Sequence, residues 1–306
     1  MGSIPLRLQQ PRKLVADPQP RIASALAASQ PPTLVTFDVF DTLIWRRTLL
    51  PQDVFLSLSH HFPGIASWMR REAERVATFA CRRVLRREPT LRDIYCLLPM
   101  SQAGEIAAEQ RVCVANPHCH SAIQSLSRLG VRIAAISDMY LDAQEIRTLL
   151  DACGYPEMPI YSSATESCTK GDNGALFSAI WKRLGVRPSE VFHVGDNAHS
   201  DIAMANRLGA GTCHVSTPRA TLFDACPSVP RARSAAETLF WGELAIRLHL
   251  HLADNRETAA SYGNAIQMLV QQRGTISQLS VDEAWREIQY CAEAVGDAEA
   301  GTRRAT

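Results

Sequence analysis

The chain has 306 residues with a formal net charge of +1, 46% hydrophobic and 21% charged, enough for one large domain or two modest ones. Its near-neutral balance excludes a whole-molecule bias toward nucleic acid or an anionic membrane, and no apolar run approaches the ~20 residues of a membrane span. The N-terminus has no apolar signal core, and nine scattered cysteines without a CxxC pair fit the reduced thiols of a cytoplasmic protein.

Residues 1–32, rich in Pro, Arg, Gln and Ala, are expected to form a flexible or peripheral arm. "TLVTF" (33–37) opens a series of short, β-branched apolar segments, followed by "VRIAAI" (131–136), "PIYSS" (159–163), "EVFHV" (190–194) and "GTCHVS" (211–216). Such unalternated runs suit strands covered on both faces. Helical patterns lie between them: "SAIQSLSRLG", "DAQEIRTLLDACG", "GALFSAIWKRLG" and "SDIAMANRLG". Each ends in Gly, as a helix C-terminus often does. Strands alternating with helices predict a Rossmann-like, doubly wound parallel sheet of about five strands.

The interval 45–120 departs from that rhythm. "PQDVFLSLSHHF", "SWMRREAERVATFACRRVL", "TLRDIYCLL" and "GEIAAEQRVCV" all read as helices. They predict an all-helical cap launched from the end of the first strand, where ligand crevices form. The core is then 33–44 with 121–218. Beyond it, 219–306 reads as a linker and a helical extension. A capping box is formed there by Ser234 and Glu237, with Leu239, Phe240, Leu244, Ile246 and Leu248 on a buried face and a further helix over 281–295. This extension carries no legible chemistry; packing or homo-oligomer contact is its expected use. "CVANPHCH" (113–120) matches no structural zinc spacing.

In a parallel sheet, residues just past adjacent strand ends converge. Here those are Asp38, Ser137, Lys170 before the helix that follows strand three, then Asp196 and Asp201. Clustered carboxylates repel unless a cation neutralises them, and oxygen ligands without His or Cys suit Mg²⁺. Such an ion on Asp38 and Asp196 would offset repulsion between an attacking carboxylate and a phosphoryl group. Ser137 and Lys170 would hold phosphoryl oxygens, leaving Asp38 to attack as nucleophile. Asp201 either joins the ligands, orients them, or caps its helix. Arg46 is the candidate for a substrate anion, although Arg46 and Arg47 also read as a solvated pair. His199, between two acids, is expected to face solvent.

The order Asp38–x–Phe40–Asp41–Thr42, Ser137, Lys170 and Gly195–Asp196–x4–Asp201 resembles the haloacid dehalogenase-like hydrolase superfamily over roughly residues 33–216. It is most similar to a bacterial branch with "FDVFDTL" and "SDMYL" motifs. The resemblance implies a Mg²⁺-dependent phosphohydrolase or phosphotransferase with a helical cap, working through an aspartyl-phosphate on Asp38. Its substrate would be a small phosphorylated metabolite, with neither nucleic acid nor membrane as partner. The resemblance also implies a second acid two residues after the nucleophile as proton donor and base. Phe40 stands there, so that contribution, typically 10²–10⁴-fold, is missing from its usual place. The Phe40 backbone carbonyl still qualifies as a metal ligand, and Asp41, one residue out of register, is expected to bond within the turn. Two alternatives follow from Phe40: a non-catalytic phospholigand-binding or regulatory protein, and a 2-haloacid dehalogenase, which carries an aromatic at this place and needs no metal.

Overall fold

A computed structural model describes residues 16–58, 63–254, 259–273 and 279–304. The fold is a five-stranded parallel sheet flanked by helices, with strand order β5-β4-β1-β6-β7. Its strands are β1 (Leu34–Phe37), β4 (Arg132–Ser137), β5 (Ile160–Ser162), β6 (Val191–Gly195) and β7 (Gly211–His214), each within a residue or two of the segment expected. Alternation along β1 sends Val35 and Phe37 to one face and Leu34 to the other, and all three are buried. Both faces therefore need a helical cover.

One cover consists of α1 (Gln19–Leu26), α5 (Pro117–Arg128) and α6 (Ala143–Ala152), which bring Ile22, Ile123, Leu126, Ile146 and Leu149 into the core. The other consists of α8 (Ala175–Arg183) and α9 (Met204–Leu208), with Phe177, Trp181 and Met204. Gly130, Gly154, Gly185 and Gly209 end their helices in the left-handed region, at φ 69°, 76°, 67° and 99°, where a Cβ is strained. The arm expected over 1–32 is in part structural: α1 anchors Ile22 in the core, while residues 1–15 lie outside the described part.

The insertion after β1 comprises a 3₁₀ turn at Pro51–Ser57, α2 (Pro63–Ala80), α3 (Leu91–Tyr95) and α4 (Gln102–Val112). It is not helical throughout. Its two ends are zipped by antiparallel strands β2 (Ile44–Arg46) and β3 (Cys113–Ala115), pairing Trp45 with Val114. Three-residue strands are too short to show a period-two pattern, which is why the sequence reads as helix there. Asn116 closes the neck: its Nδ2 donates to the Thr42 carbonyl and its N–H to the Leu43 carbonyl, both at 2.8 Å. Cys113 and Cys119 serve this neck and the core, and all nine cysteines are free thiols.

The extension folds as α10 (Pro218–Ala225), α11 (Ala235–Asp254), α12 (Ala259–Arg273) and α13 (Val281–Arg304) around Trp241, Leu244, Leu248, Ile266 and Ile288. Ser234 caps α11, accepting the Glu237 N–H at 3.2 Å. The bundle grips the chain leading into the insertion. The Leu49 N–H donates to Thr238 Oγ1 at 2.9 Å, and Thr238 in turn donates to Asp53 at 2.7 Å. Gly242 is required at this seam, since a Cβ there would lie 2.1 Å from the Arg47 carbonyl oxygen. No helix among the described residues is long and apolar enough to cross a membrane. The remaining short helix, α7 (Ser163–Glu166), follows β5.

Candidate active site

Strand register sets the site. Phe37 pairs with Ala135 on one side and Val194 on the other, so the next residues along, Asp38, Ile136–Ser137 and Gly195–Asp196, emerge together at the carboxyl edge. The Asp38 N–H still donates to the Val194 carbonyl at 2.9 Å, holding the acid in line with the sheet. Its carboxylate is buried and accepts from Lys170 Nζ at 2.5 Å. Lys170 also bonds Asp201, and is itself buried. Asp196 follows β6, and Thr42 donates to it at 3.4 Å. Oxygens of Asp38, Asp196 and Asp201 lie within 4.8 Å of one another.

Local rules explain the last segment. Asn197 accepts the N–H groups of His199 and Ser200 at 2.9 and 3.0 Å, so Asn197, not Asp201, caps that turn. Asp201 is freed to turn inward, accepting the Asn197 N–H at 2.9 Å and the Lys170 ammonium. Gly195 must be Gly, because a Cβ would lie 2.5 Å from the Asp201 side chain. His199 is exposed.

Three carboxylates share one ammonium, and the imbalance appears in their proton affinities. Burial, opposed by Lys170 and reinforced by Asp201, pushes Asp38 up to about 7. Burial, then the charges of Asp38, Asp41 and Asp201, pushes Asp196 up to about 8. Burial works against ionised Asp201 too, yet Lys170 and then His193 hold it well below the usual carboxylate range. His193 is buried between Thr36, 2.8 Å from Nδ1, and Asp201, 3.5 Å from Nε2; burial lowers its pKa and keeps it neutral. An all-oxygen donor set of three carboxylates against one ammonium, two positive charges short, fits a hard divalent cation such as Mg²⁺. Asp38 and Asp196 would hold it, with Asp201 as third ligand or as orienting group.

The crevice over these acids encloses about 360 Å³ and is lined by Asp38, Ser137, Lys170 and Asp196 from the core and by Phe55, Glu74 and Glu109 from the insertion. Phe40 forms part of its wall, with the Arg46 guanidinium 4.3 Å above the ring. Arg46 donates to Glu109 through two of its three guanidinium nitrogens, Nε and Nη2, at 2.8 and 2.9 Å. The candidate anion receptor thus reaches the crevice already neutralised. Arg47 instead pairs with Glu243 at 3.4 Å. Asp41 adopts φ 60°, and its N–H donates to the Ile44 carbonyl at 2.9 Å. Its carboxylate faces Arg219 at 3.2 Å.

One site residue escapes sequence reasoning. Asp138, next to Ser137, accepts the Lys170 N–H at 2.8 Å and the Gly171 N–H at 3.4 Å. It therefore sets the loop that delivers Lys170. Its signals are an acid at a strand end, which a turn explains as well, and its place in the "SDMYL" motif, which gives it no role by itself.

A family model described as haloacid dehalogenase-like hydrolase matches residues 32–209. No curated protein matches the chain significantly. Among solved structures, the chain is similar to L-2-haloacid dehalogenase from Xanthobacter autotrophicus with chloropropionic acid covalently bound, at 17% identity and TM-score 0.45, covering 65% of this chain and 85% of that one. It is also similar to a predicted phosphoglycolate phosphatase from Haemophilus somnus 129pt, at 16% identity and TM-score 0.39, covering 60% and 84%. Likenesses this distant say nothing of which chemistry this chain performs.

Proposed function

The chain belongs to the haloacid dehalogenase-like hydrolases, and we propose that it is a Mg²⁺-dependent phosphohydrolase or phosphotransferase acting on a small phosphorylated metabolite through Asp38. The observation that carries the reading is the uncompensated carboxylate cluster: Asp38 and Asp196 are raised to about 7 and 8 beside a single lysine. Without a metal, the repulsion among the three carboxylates stays unrelieved, which weighs against a metal-independent dehalogenase. A bound cation would supply charge neutralisation for two anions brought into contact.

In the proposed reaction an oxygen of Asp38 attacks phosphorus, and the bond to the leaving oxygen breaks with its electron pair. Attack by water, or by an acceptor alcohol, on the same phosphorus then releases the Asp38 carboxylate. Lys170 holds Asp38 Oδ1 at 2.5 Å and, with Ser137, would take charge from phosphoryl oxygens. Phe40 offers no proton, so the leaving group must depart as a stable anion or take its proton from elsewhere. Arg46 lines the crevice above Phe40, where it would meet a substrate anion with Glu109 already holding its Nε and Nη2.

The test uses p-nitrophenyl phosphate and acetyl phosphate, whose leaving groups need little protonation. Phosphate release that requires Mg²⁺ and disappears in Asp38→Asn supports the proposal. Halide release from 2-haloacids in EDTA would replace it with the dehalogenase reading. If neither reaction occurs while Mg²⁺ or phosphate still raises Tm, the protein is a phospholigand binder.

A further inference from the structure

The α2 helix and the wider turn that continues it over Cys81–Leu85 have two faces. One packs inward through Ala66, Arg70, Ala73, Ala77 and Cys81. On the other, Trp68 and Phe79 are 57% and 66% exposed, about three helical turns apart and therefore on one line. Ile65 and Val76 flank that line, and Val84, 72% exposed, and Leu85 extend it. Six of the ten large exposed hydrophobic side chains among the described residues lie in this one stretch. The others, Leu97, Leu129, Met268 and Tyr290, are scattered singly, as on any soluble surface. Exposed apolar side chains gathered in one stretch of helix, with the Glu72–Arg75 pair between the two aromatics, need a reason.

Its margin is basic. Arg71, Arg75, Arg82, Arg83 and Arg86 are all exposed. Arg75 pairs with Glu72 and Arg82 with Glu88. Arg71, Arg83 and Arg86 make no ion pair among the described residues; Arg71 has only a 3.4 Å bond to the Ser67 carbonyl. The acids in reach, Glu72, the Glu74 that holds Arg70, Glu88 and the Asp93 that holds Arg87, are thus all engaged, leaving net positive charge around the aromatic pair.

From this arrangement we infer that the outer face of α2 docks on an anionic lipid surface, with Trp68 and Phe79 inserted at the headgroup level and the arginines on lipid phosphates. The chemistry is that of an interfacial amphipathic helix: aromatic and aliphatic knobs on one side, arginine stems that reach sideways to the charged layer. A second copy of the chain is a poorer occupant, because pairing this face with itself sets arginine against arginine. A groove-bearing protein partner requires nothing of the basic margin, whereas an anionic bilayer complements the apolar line and its margin together. The net charge of +1 conceals the feature, since acids elsewhere cancel it.

The experiment is co-sedimentation of the full chain with vesicles of mixed phosphatidylcholine and phosphatidylglycerol, against phosphatidylcholine alone, over a salt series. Binding is expected only to the anionic vesicles, weakening with salt, with a blue shift of tryptophan emission that is lost in Trp68→Ser. Arg71→Gln with Arg75→Gln should weaken binding about 30-fold, at roughly fivefold per surface arginine. Trp68→Ser with Phe79→Ser should abolish it; these side chains are exposed, and circular dichroism checks that the fold is kept. Failure to bind anionic vesicles at low salt overturns the inference. So does binding that survives loss of both aromatics, which would be plain charge adsorption. A dimer broken by Trp68→Ser, without vesicle binding, would give the face to a second copy.

Discussion

Charge is buried in two places, one inside the insertion and one at the sheet edge. Inside the insertion, fully buried Arg70 meets Glu105 through two nitrogens and Glu74 through the third. Tyr95 and Tyr140 each donate to Glu105 at 2.8 Å, and the rings of Phe55 and Tyr140 lie 4.6 and 4.8 Å from the guanidinium. Every polar atom there has a partner, and the two buried charges, Arg70 and Glu105, balance each other, with Glu74 reaching in from the surface. Because Tyr140 follows the end of β4 and also accepts the Leu91 N–H through its carbonyl at 2.8 Å, the cluster pins the insertion to the core. At the sheet edge, Lys170 stands against Asp38, Asp196 and Asp201; burial raises Asp38, and burial with the neighbouring acids raises Asp196, far above their usual range. A balanced buried cluster holds structure. An unbalanced one stores a demand for a ligand.

That contrast can be broken most sharply at Asp38. Asp38→Asn should lower phosphate release by at least about 10³-fold while raising Tm at pH 8, because one uncompensated buried charge is gone; a loss of stability would put Asp38 with the structural cluster. Arg70→Met should behave oppositely. It strands Glu105 and costs about 3–5 kcal/mol, a fall in Tm on the order of 10 °C by calorimetry, and a smaller fall would mean water reaches that cluster.

The pH dependence separates the two clusters further. Native Asp38 and Asp196 titrate near 7 and 8 against an ordinary 3.8. Ionising them is harder in the folded chain, so stability is lost as pH rises above about 4 and the loss is complete near pH 8. A divalent cation restores it. The Mg²⁺-induced rise in Tm should therefore be larger at pH 8 than at pH 6 and vanish in Asp196→Asn; an equal rise at both would show that the acids are already ionised. The smallest effect belongs to Asp41→Asn. Its pair with Arg219 is partly exposed and worth about 0–1 kcal/mol, so activity should be retained, and a collapse like that of Asp38→Asn would make it a working acid.

The parallel sheet and its strand ends could be read from the sequence because their signals are local. Apolar runs, glycine stops and acids at the stops all lie within a few residues of one another, and parallel pairing then brings Asp38, Ser137 and Asp196 to one edge. Asp201 needed more, since only the Asn197 cap shows that it is free to face Lys170. What tertiary structure alone decided are relations between distant residues. Glu109 occupies Arg46 from 63 positions away, Asp138 steers Lys170 from 32, and Arg219 engages Asp41 from 178. Composition sums charge over the whole chain, and periodicity sees one helix at a time. Neither shows which charges meet, nor which face of α2 the rest of the molecule leaves uncovered, because pairing and burial are set by packing between segments that the sequence keeps far apart.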